Sequence, residues 1–384
     1  MGSDVKILHL CLSCFYIDDA GYQENYLVRQ HVDDGHDVLV IASTETFDGK
    51  GGLQYIEPQS YMGSDRAKVI RLPYAIWLPL SIARKLRVFT GIYKLIEGFR
   101  PDAILFHGCA GNEIATVANY ASKHPNVLFY VDSHEDFNNS ARSFLSHRIL
   151  HGLFYRIRLQ QALPHIRKIL CVNVDAMDFV SEVYRVPADR LEFYPLGGFP
   201  LDDGEISRRR VKTRAALGLR EQAFVFLQSG KMTPRKKLSS SLRAFSQLPG
   251  ENLRFLIAGL LTDSIRDEVE ALISADPRIT FLGWQSTEQL TDLLCAADAY
   301  IQPGTQSATM QHALCCGCPA IIDDAPGHQP YRQAGVTLVS DDTSLRAAFA
   351  AAAQHDQNQK RSQALTFARE KLDYQKLAQR VVHT

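Results

Sequence analysis

Val5-Lys-Ile-Leu-His-Leu-Cys-Leu12 is a mostly apolar run of strand length, and Val38-Leu-Val-Ile-Ala42 is a second. Between them the loop Tyr16-Ile-Asp-Asp-Ala-Gly-Tyr22 leads into a helical segment from about Gln23 to Asp34, closed by Gly35-His-Asp. Strand, helix and strand in this order make a βαβ unit, and strands apolar on both faces belong in a parallel sheet. The pattern then repeats. Ile82 to Phe99 has helical spacing and leads to the strand Pro101-Asp-Ala-Ile-Leu-Phe106. A helix near Gly111 to Lys123 precedes Val127-Leu-Phe-Tyr-Val131, and a long helical region, Ser143 to Ile166, precedes Lys168-Ile-Leu-Cys-Val172.

Near residue 195 the texture changes. Tyr194-Pro-Leu-Gly-Gly-Phe-Pro200 is turn-rich, and Ser207-Arg-Arg-Arg-Val-Lys212 reads as an exposed, charged connector. A second βα series follows, with strands at Phe224–Gln228, Leu253–Ala258, Ile279–Leu282, Ala299–Gln302 and Pro319–Ile322. At 384 residues the chain exceeds what one core usually supports. The expected fold is α/β, with two Rossmann-like, doubly wound parallel-sheet domains over residues 1–194 and 195–365 and a terminal helix from 366 to 384. In such sheets ligands sit at the carboxyl ends of the strands, which makes the interdomain cleft the expected site.

Bulk composition excludes several classes. Forty-two basic residues balance forty-two acidic ones, so no blanket charge points to nucleic acid. No apolar run approaches the roughly 18 to 20 residues of a membrane span, and the first residues lack the pattern of a signal peptide or myristoylation site. The expected location is therefore cytoplasmic, peripheral at most to the inner membrane face. The eight cysteines include the clusters Cys11/Cys14 and Cys315/Cys316/Cys318, without a second ligand pair nearby in sequence to complete a zinc site. They read as small buried residues. No Asp-x-Asp pattern ties the chemistry to a metal.

Five segments carry chemistry. The first is Gly21-Tyr-Gln-Glu24, followed by Gly35-His36-Asp-Val38, where Gly21 lets backbone approach a phosphate. The second is Val131-Asp-Ser-His134-Glu-Asp136 at a strand end; an imidazole there can bond a hydroxyl and change charge near neutral pH, and Asp132, Glu135 and Asp136 are candidate partners for hydroxyls of a ligand. The third is Ser229-Gly230-Lys231 with Lys236-Lys237 five residues on, a glycine and a set of cations following an apolar strand. The fourth is Phe281-Leu-Gly-Trp284, whose indole either stacks on a base or packs in the core. The fifth runs from Pro303-Gly-Thr-Gln306-Ser307-Ala308-Thr309 through Gln311 and His312 to Gly317. It opens a helix whose amino end can hold phosphate, with Ser307 and Thr309 as caps.

In order and spacing these segments resemble retaining glycosyltransferases of family 4, of GT-B architecture, over nearly the whole chain. The resemblance implies transfer of a sugar from a nucleoside-diphosphate sugar to a saccharide or lipid-linked hydroxyl, without a metal cofactor. It implies catalytic roles for His134, Lys231 and Lys236, the two lysines as fixed cations for the charge that accumulates on a departing diphosphate. Gly21, Gly230, Trp284, Gln306, Ser307, Ala308, Thr309, Gln311 and His312 become donor-binding candidates. One departure is plain: where the family carries Glu, seven residues and a second Glu, this chain places Gly304 near the first and His312 at the second. Gln311 or His312 is the substitute for the ribose contact and Gln306 for the sugar contact. The loss of both carboxylates also fits a nucleotide-binding or partner subunit without transfer activity. A sugar-nucleotide epimerase shares the architecture, whereas a nicotinamide dehydrogenase lacks its Gly-x-Gly-x-x-Gly. The basic helical regions Arg84–Lys94 and Arg142–Lys168 suit an anionic inner-leaflet surface as well as they suit solvent.

Overall fold

The computed structural model describes residues 5–47, 52–305 and 307–382. It divides into two compact units, one holding the chain to Pro195 together with Tyr374 onward, the other Leu196–Asp373.

In the first unit the strands are β1 (Lys6–Cys11), β2 (Asp37–Ser43), β3 (Glu45–Phe47), β4 (Leu53–Tyr55), β5 (Gln59–Met62), β6 (Lys68–Leu72), β7 (Ala103–His107), β8 (Leu128–Ser133), β9 (Ile169–Cys171) and β10 (Leu191–Phe193). Eight form one sheet in the order β10-β9-β8-β7-β1-β2-β6-β5, while β3 and β4 pair separately. Every pairing in the large sheet is parallel except β5 with β6. The order reverses between β1 and β7, the switch point at which a doubly wound sheet opens a crevice. Behind β1, β7 and β8 lies a core of Ile7, Leu27, Leu105 and Leu128, sealed by Tyr374, Leu377 and Val381 from the terminal helix Tyr374–Val382.

The second unit contains β11 (Phe224–Met232), β12 (Leu253–Leu261), β13 (Ile279–Phe281), β14 (Ala299–Gln302), β15 (Ala320–Asp323) and β16 (Thr337–Val339). Their order, β13-β12-β11-β14-β15-β16, is 3-2-1-4-5-6 when counted within the unit, and all pairings are parallel. Its switch point lies between β11 and β14. Phe226, Phe245, Phe255 and Phe349 interlock beneath it.

Three elements differ from the sequence reading. The helix expected over Ile82–Phe99 is two helices, Leu80–Leu86 and Ile92–Phe99, parted where Arg87 and Gly91 take positive φ. The charged run 207–212 is no connector: it lies inside the helix Asp203–Ala216, where Arg209 pairs with Glu205, Glu288 and Asp292. The final helical stretch breaks at Asp373, so Asn358–Phe367 stays with the second unit while Tyr374–Val382 joins the first.

Candidate active site

In the second unit, β11 carries Gly230 and Lys231 to the carboxyl edge of the sheet. Gly230 (φ +122°) faces Gly259 (φ +145°) across the pair β11–β12, and a Cβ on Gly259 would lie 1.9 Å from the Gly230 carbonyl oxygen. The close approach requires glycine at 259, and the positive φ favours it at 230. Lys231 is exposed and forms no ion pair among the described residues. After the short turn Pro234–Lys236, Lys237 adopts φ +52° and points its ammonium to Asp323 at 3.5 Å. Lys236 does the opposite. It is half-buried, its Nζ donates to the Thr305 carbonyl at 3.2 Å, and burial holds its pKa below the ordinary lysine value.

This contact is one of several that join the loop after β11 to the loop after β14. The Thr305 amide donates to the Arg235 carbonyl at 3.2 Å, while Gln228 Nε2, from β11 itself, donates to the Lys236 carbonyl at 2.9 Å and steadies the first of the two loops. Gly304 sits so close that a Cβ would lie 2.1 Å from the Arg235 oxygen. That packing accounts for the absent first carboxylate: no side chain fits at 304 while Lys236 is held here.

The helix Ala308–Cys315 begins beside this junction. Ser307 occupies its N-cap position but does not cap it; the hydroxyl donates to Gln302 Oε1 at 2.5 Å, correcting the capping role expected from sequence. The first-turn amides of Ala308 and Thr309 therefore have no side-chain acceptor at the N-cap, the condition under which a helix end binds an anion. Beneath them the buried Tyr300 hydroxyl lies 3.3 Å from Ser229 Oγ. Gln311 is likewise corrected: it points into the interior and donates to the Tyr331 hydroxyl at 2.5 Å, so it is not presented to a ribose. His312 is half-buried with Nε2 3.0 Å from Thr291 Oγ1, whose own proton goes to the Thr287 carbonyl. His312 must therefore donate from Nε2, and burial, which lowers its pKa, keeps Nδ1 an unprotonated acceptor. Gln306 lies outside the described residues. Trp284 is 66% exposed, directly after Gly283 (φ +69°), so the core-packing alternative for its indole does not hold.

In the first unit, Gly21 is exposed at the amino end of the helix Gln23–Asp33, with Tyr22 at the N-cap. His134 follows β8 and is half-buried; its carbonyl accepts from Asn139 Nδ2 at 2.7 Å, which fixes the turn. Asp132, read as a partner for sugar hydroxyls, is instead buried against His107, with Oδ1 accepting the Gly108 amide at 2.9 Å. Glu135 accepts from Ser133 Oγ at 3.2 Å, and burial pushes its carboxyl up to about 7. Sequence reasoning passed over His9, His31 and His107 entirely. They are far apart in the chain, and only the strand order β8-β7-β1 brings them to Asp132. A histidine inside an otherwise apolar strand, as at position 9, was the available signal. Among the described residues, no three His, Cys, Asp or Glu side chains converge as a metal site.

Two tandem sheets of this order, with a cationic, glycine-lined switch point, define the GT-B class. Residues 25–197 match the sequence model described as Glycosyltransferase Family 4, and residues 210–366 that of Glycosyl transferases group 1. The chain belongs to this family and is a glycosyltransferase. Among solved structures it is similar to HepE of Anabaena in complex with UDP, with a TM-score of 0.65 at 16% identity over 98% of each chain. It is also similar to WaaG, a glycosyltransferase involved in lipopolysaccharide biosynthesis, at TM-score 0.61 and 14% identity, covering 98% of this chain and 100% of that one. Sucrose-phosphate synthase from Thermosynechococcus elongatus gives 0.60 and 16%, over 98% and 97%. At such identities the likeness is one of fold. No curated protein sequence matches the chain.

Proposed function

We propose that the protein moves a hexose, with retention of configuration, from a nucleoside-diphosphate sugar to a hydroxyl of a saccharide or lipid-linked acceptor. The observation that carries this reading is the junction at the second unit's switch point. There Lys231, Lys236 and the amides of Ala308 and Thr309 form a cationic, donor-rich edge with no carboxylate in contact with either lysine among the described residues. Such an edge favours the charge that builds on a diphosphate as the glycosidic bond breaks, and so lowers the barrier rather than only the ground state. Gly230 allows close backbone approach, Ser307 and Thr309 border the phosphates, Trp284 offers a face for the base, and His312 Nδ1 accepts from a ribose hydroxyl; in the first unit Gly21 offers a phosphate the same backbone freedom.

In this reaction the acceptor hydroxyl attacks the anomeric carbon from the face that the leaving group departs. The acceptor oxygen–carbon bond forms as the carbon–phosphate oxygen bond breaks, and the departing phosphate takes the hydroxyl proton. His134 bonds the sugar or acceptor hydroxyls. No metal is required, because the lysines and helix amides supply the positive field. Substituting Lys236 by Ala tests the assignment: turnover falls by about a hundredfold with the fold intact.

The second partner we propose is an anionic membrane surface. Phe144, Leu145, Ile149, Leu153 and Ile157 are all exposed along one helical stretch, Phe144 at 76%, interleaved with the exposed Arg142, Arg148 and Arg156. The Tyr155 hydroxyl donates to the Lys85 carbonyl, which ties this stretch to the helix Leu80–Leu86, whose Leu80 and Ile82 are exposed as well. An apolar stripe rimmed by guanidinium groups suits the boundary between headgroups and acyl chains.

A further inference from the structure

Four buried side chains run in line through the first unit. Asp132 Oδ2 on β8 lies 2.5 Å from His107 Nδ1 on β7; His107 Nε2 lies 3.0 Å from His9 Nδ1 on β1. His9 Nε2 lies 2.9 Å from His31 Nδ1 on the helix Gln23–Asp33, and His31 Nε2 ends the line 3.0 Å from the Ala378 carbonyl of the terminal helix. Asp132, His107, His9 and His31 are each at most 2% exposed.

The chemistry of the two ends fixes every proton between them. The Ala378 carbonyl only accepts, so His31 donates from Nε2 and accepts at Nδ1. His9 therefore donates from Nε2 and accepts at Nδ1, and His107 donates from Nε2. Three neutral imidazoles carry three protons, but the line has four contacts to fill. The fourth proton lies between His107 and Asp132. Burial alone would strip it from the imidazole, yet the Asp132 charge and hydrogen bond outweigh burial and push His107 up to about 10. Burial likewise opposes the Asp132 charge, and His107 overrides it, leaving the carboxyl below its ordinary value. His9 and His31, lowered by burial, stay neutral.

Resting on the assignment of His134 to the active site, we propose that His107 is a positioning residue for transfer. As the one imidazolium of this line it keeps Asp132 a carboxylate, and that carboxylate fixes the Gly108 turn and the end of β8 that carries His134. Asp132 is the penultimate residue of β8, and His134 follows directly after the strand's last residue, Ser133. The other titratable groups around the line are Glu24 and His36 on or beside the helix Gln23–Asp33, the thiols of Cys11 and Cys14 at and just after the end of β1, His134 and Glu135 after β8, and Tyr194. Glu24 is itself pushed up by burial. None of these carboxyls or thiols bonds His107 in the place of Asp132.

The test has two arms on the full-length protein. Nitrogen-15 imidazole spectra, assigned with His→Gln variants, read the protons directly, without substrate. The expected result is a His107 protonated on both nitrogens through neutral pH, with His9 and His31 as single Nε2–H tautomers. A neutral His107, or mixed tautomers at His9, overturns the proposal whatever the enzyme's activity. The second arm is the pH profile of turnover. His107→Gln removes the counter-ion, so the buried Asp132 takes up a proton at higher pH and a new acidic limb appears. kcat falls on the order of tenfold to a hundredfold with KM little changed. The limb vanishes in His107→Gln/Asp132→Asn. His31→Gln, which keeps an acceptor toward His9 and a donor toward Ala378, retains more turnover than His31→Leu. A folded His107→Gln protein with the wild-type profile contradicts the proposal. Wild-type protein that transfers no sugar contradicts the assigned reaction instead, and leaves the spectra to judge the line.

Discussion

Lys236 and Gly304 form one unit of packing. The lysine's half-buried ammonium bonds the Thr305 carbonyl, and its loop leaves only a glycine's space at 304. Gly304→Ala should therefore act on Lys236 rather than on the fold. The added methyl, 2.1 Å from the Arg235 carbonyl, must push that loop away. The expected outcome is a drop in kcat/KM approaching that of Lys236→Ala, with a melting temperature lowered by only a few degrees. A Gly304→Ala enzyme of full activity would show that the loop's position does not matter. Sequence spacing pointed to both lysines because charge and glycine are visible in a string of residues. It misassigned Ser307, Gln311 and Asp132, because a polar side chain facing inward reads the same as one facing a ligand. Only the neighbours Gln302, Tyr331 and His107 distinguish them.

Among the elements, the helical stretch through residues 144–157 carries a prediction of its own. If its exposed Phe144, Leu145, Ile149, Leu153 and Ile157 meet lipid, the protein should sediment with vesicles containing phosphatidylglycerol and not with phosphatidylcholine vesicles. Sedimentation should weaken with added salt and with Arg148→Glu/Arg156→Glu. Equal binding to both vesicle types, or none, contradicts the membrane partner. The basic residues here were legible in sequence, but the apolar exposure was not, since leucine and isoleucine at helical spacing ordinarily signal a core-facing side. Helix limits failed for a related reason. The residues from Ile82 to Phe99 have continuous helical periodicity, and what interrupts them is the backbone at Arg87 and Gly91, which periodicity does not record. The run of arginines at 208–210 looked solvated because its partners Glu288, Asp292 and Asp298 come from much later in the chain.

Across the whole molecule, two parallel sheets were legible because each strand is an apolar run bounded by turn residues, and the helices between them permit right-handed crossovers. The line of histidines makes the stability of the first unit depend on pH in a definite direction. His31 is pushed down to about 4 in the folded state by burial, against 6.5 when unfolded. Its contribution is present above pH 6.5 and is lost as pH falls toward 4, on the order of 3 kcal/mol. His107, pushed up to about 10, works in the other sense: its contribution is present below 6.5 and is lost as pH rises toward 10. Chemical denaturation across pH should show a maximum near neutrality, with an acid limb flattened in His31→Gln. A stability curve flat from pH 4 to pH 7 in the native protein would contradict neutral burial of this residue.

The central claim is that the second unit grips a diphosphate with Lys231, Lys236 and the amino end of the helix Ala308–Cys315. Its most direct test is the initial rate of sugar transfer from a panel of nucleoside-diphosphate sugars by the native enzyme and by Lys236→Ala. The native protein should release nucleoside diphosphate in an acceptor-dependent manner. The variant should lose about a hundredfold in kcat, with unchanged thermal unfolding. Full turnover by a folded Lys236→Ala protein would contradict it.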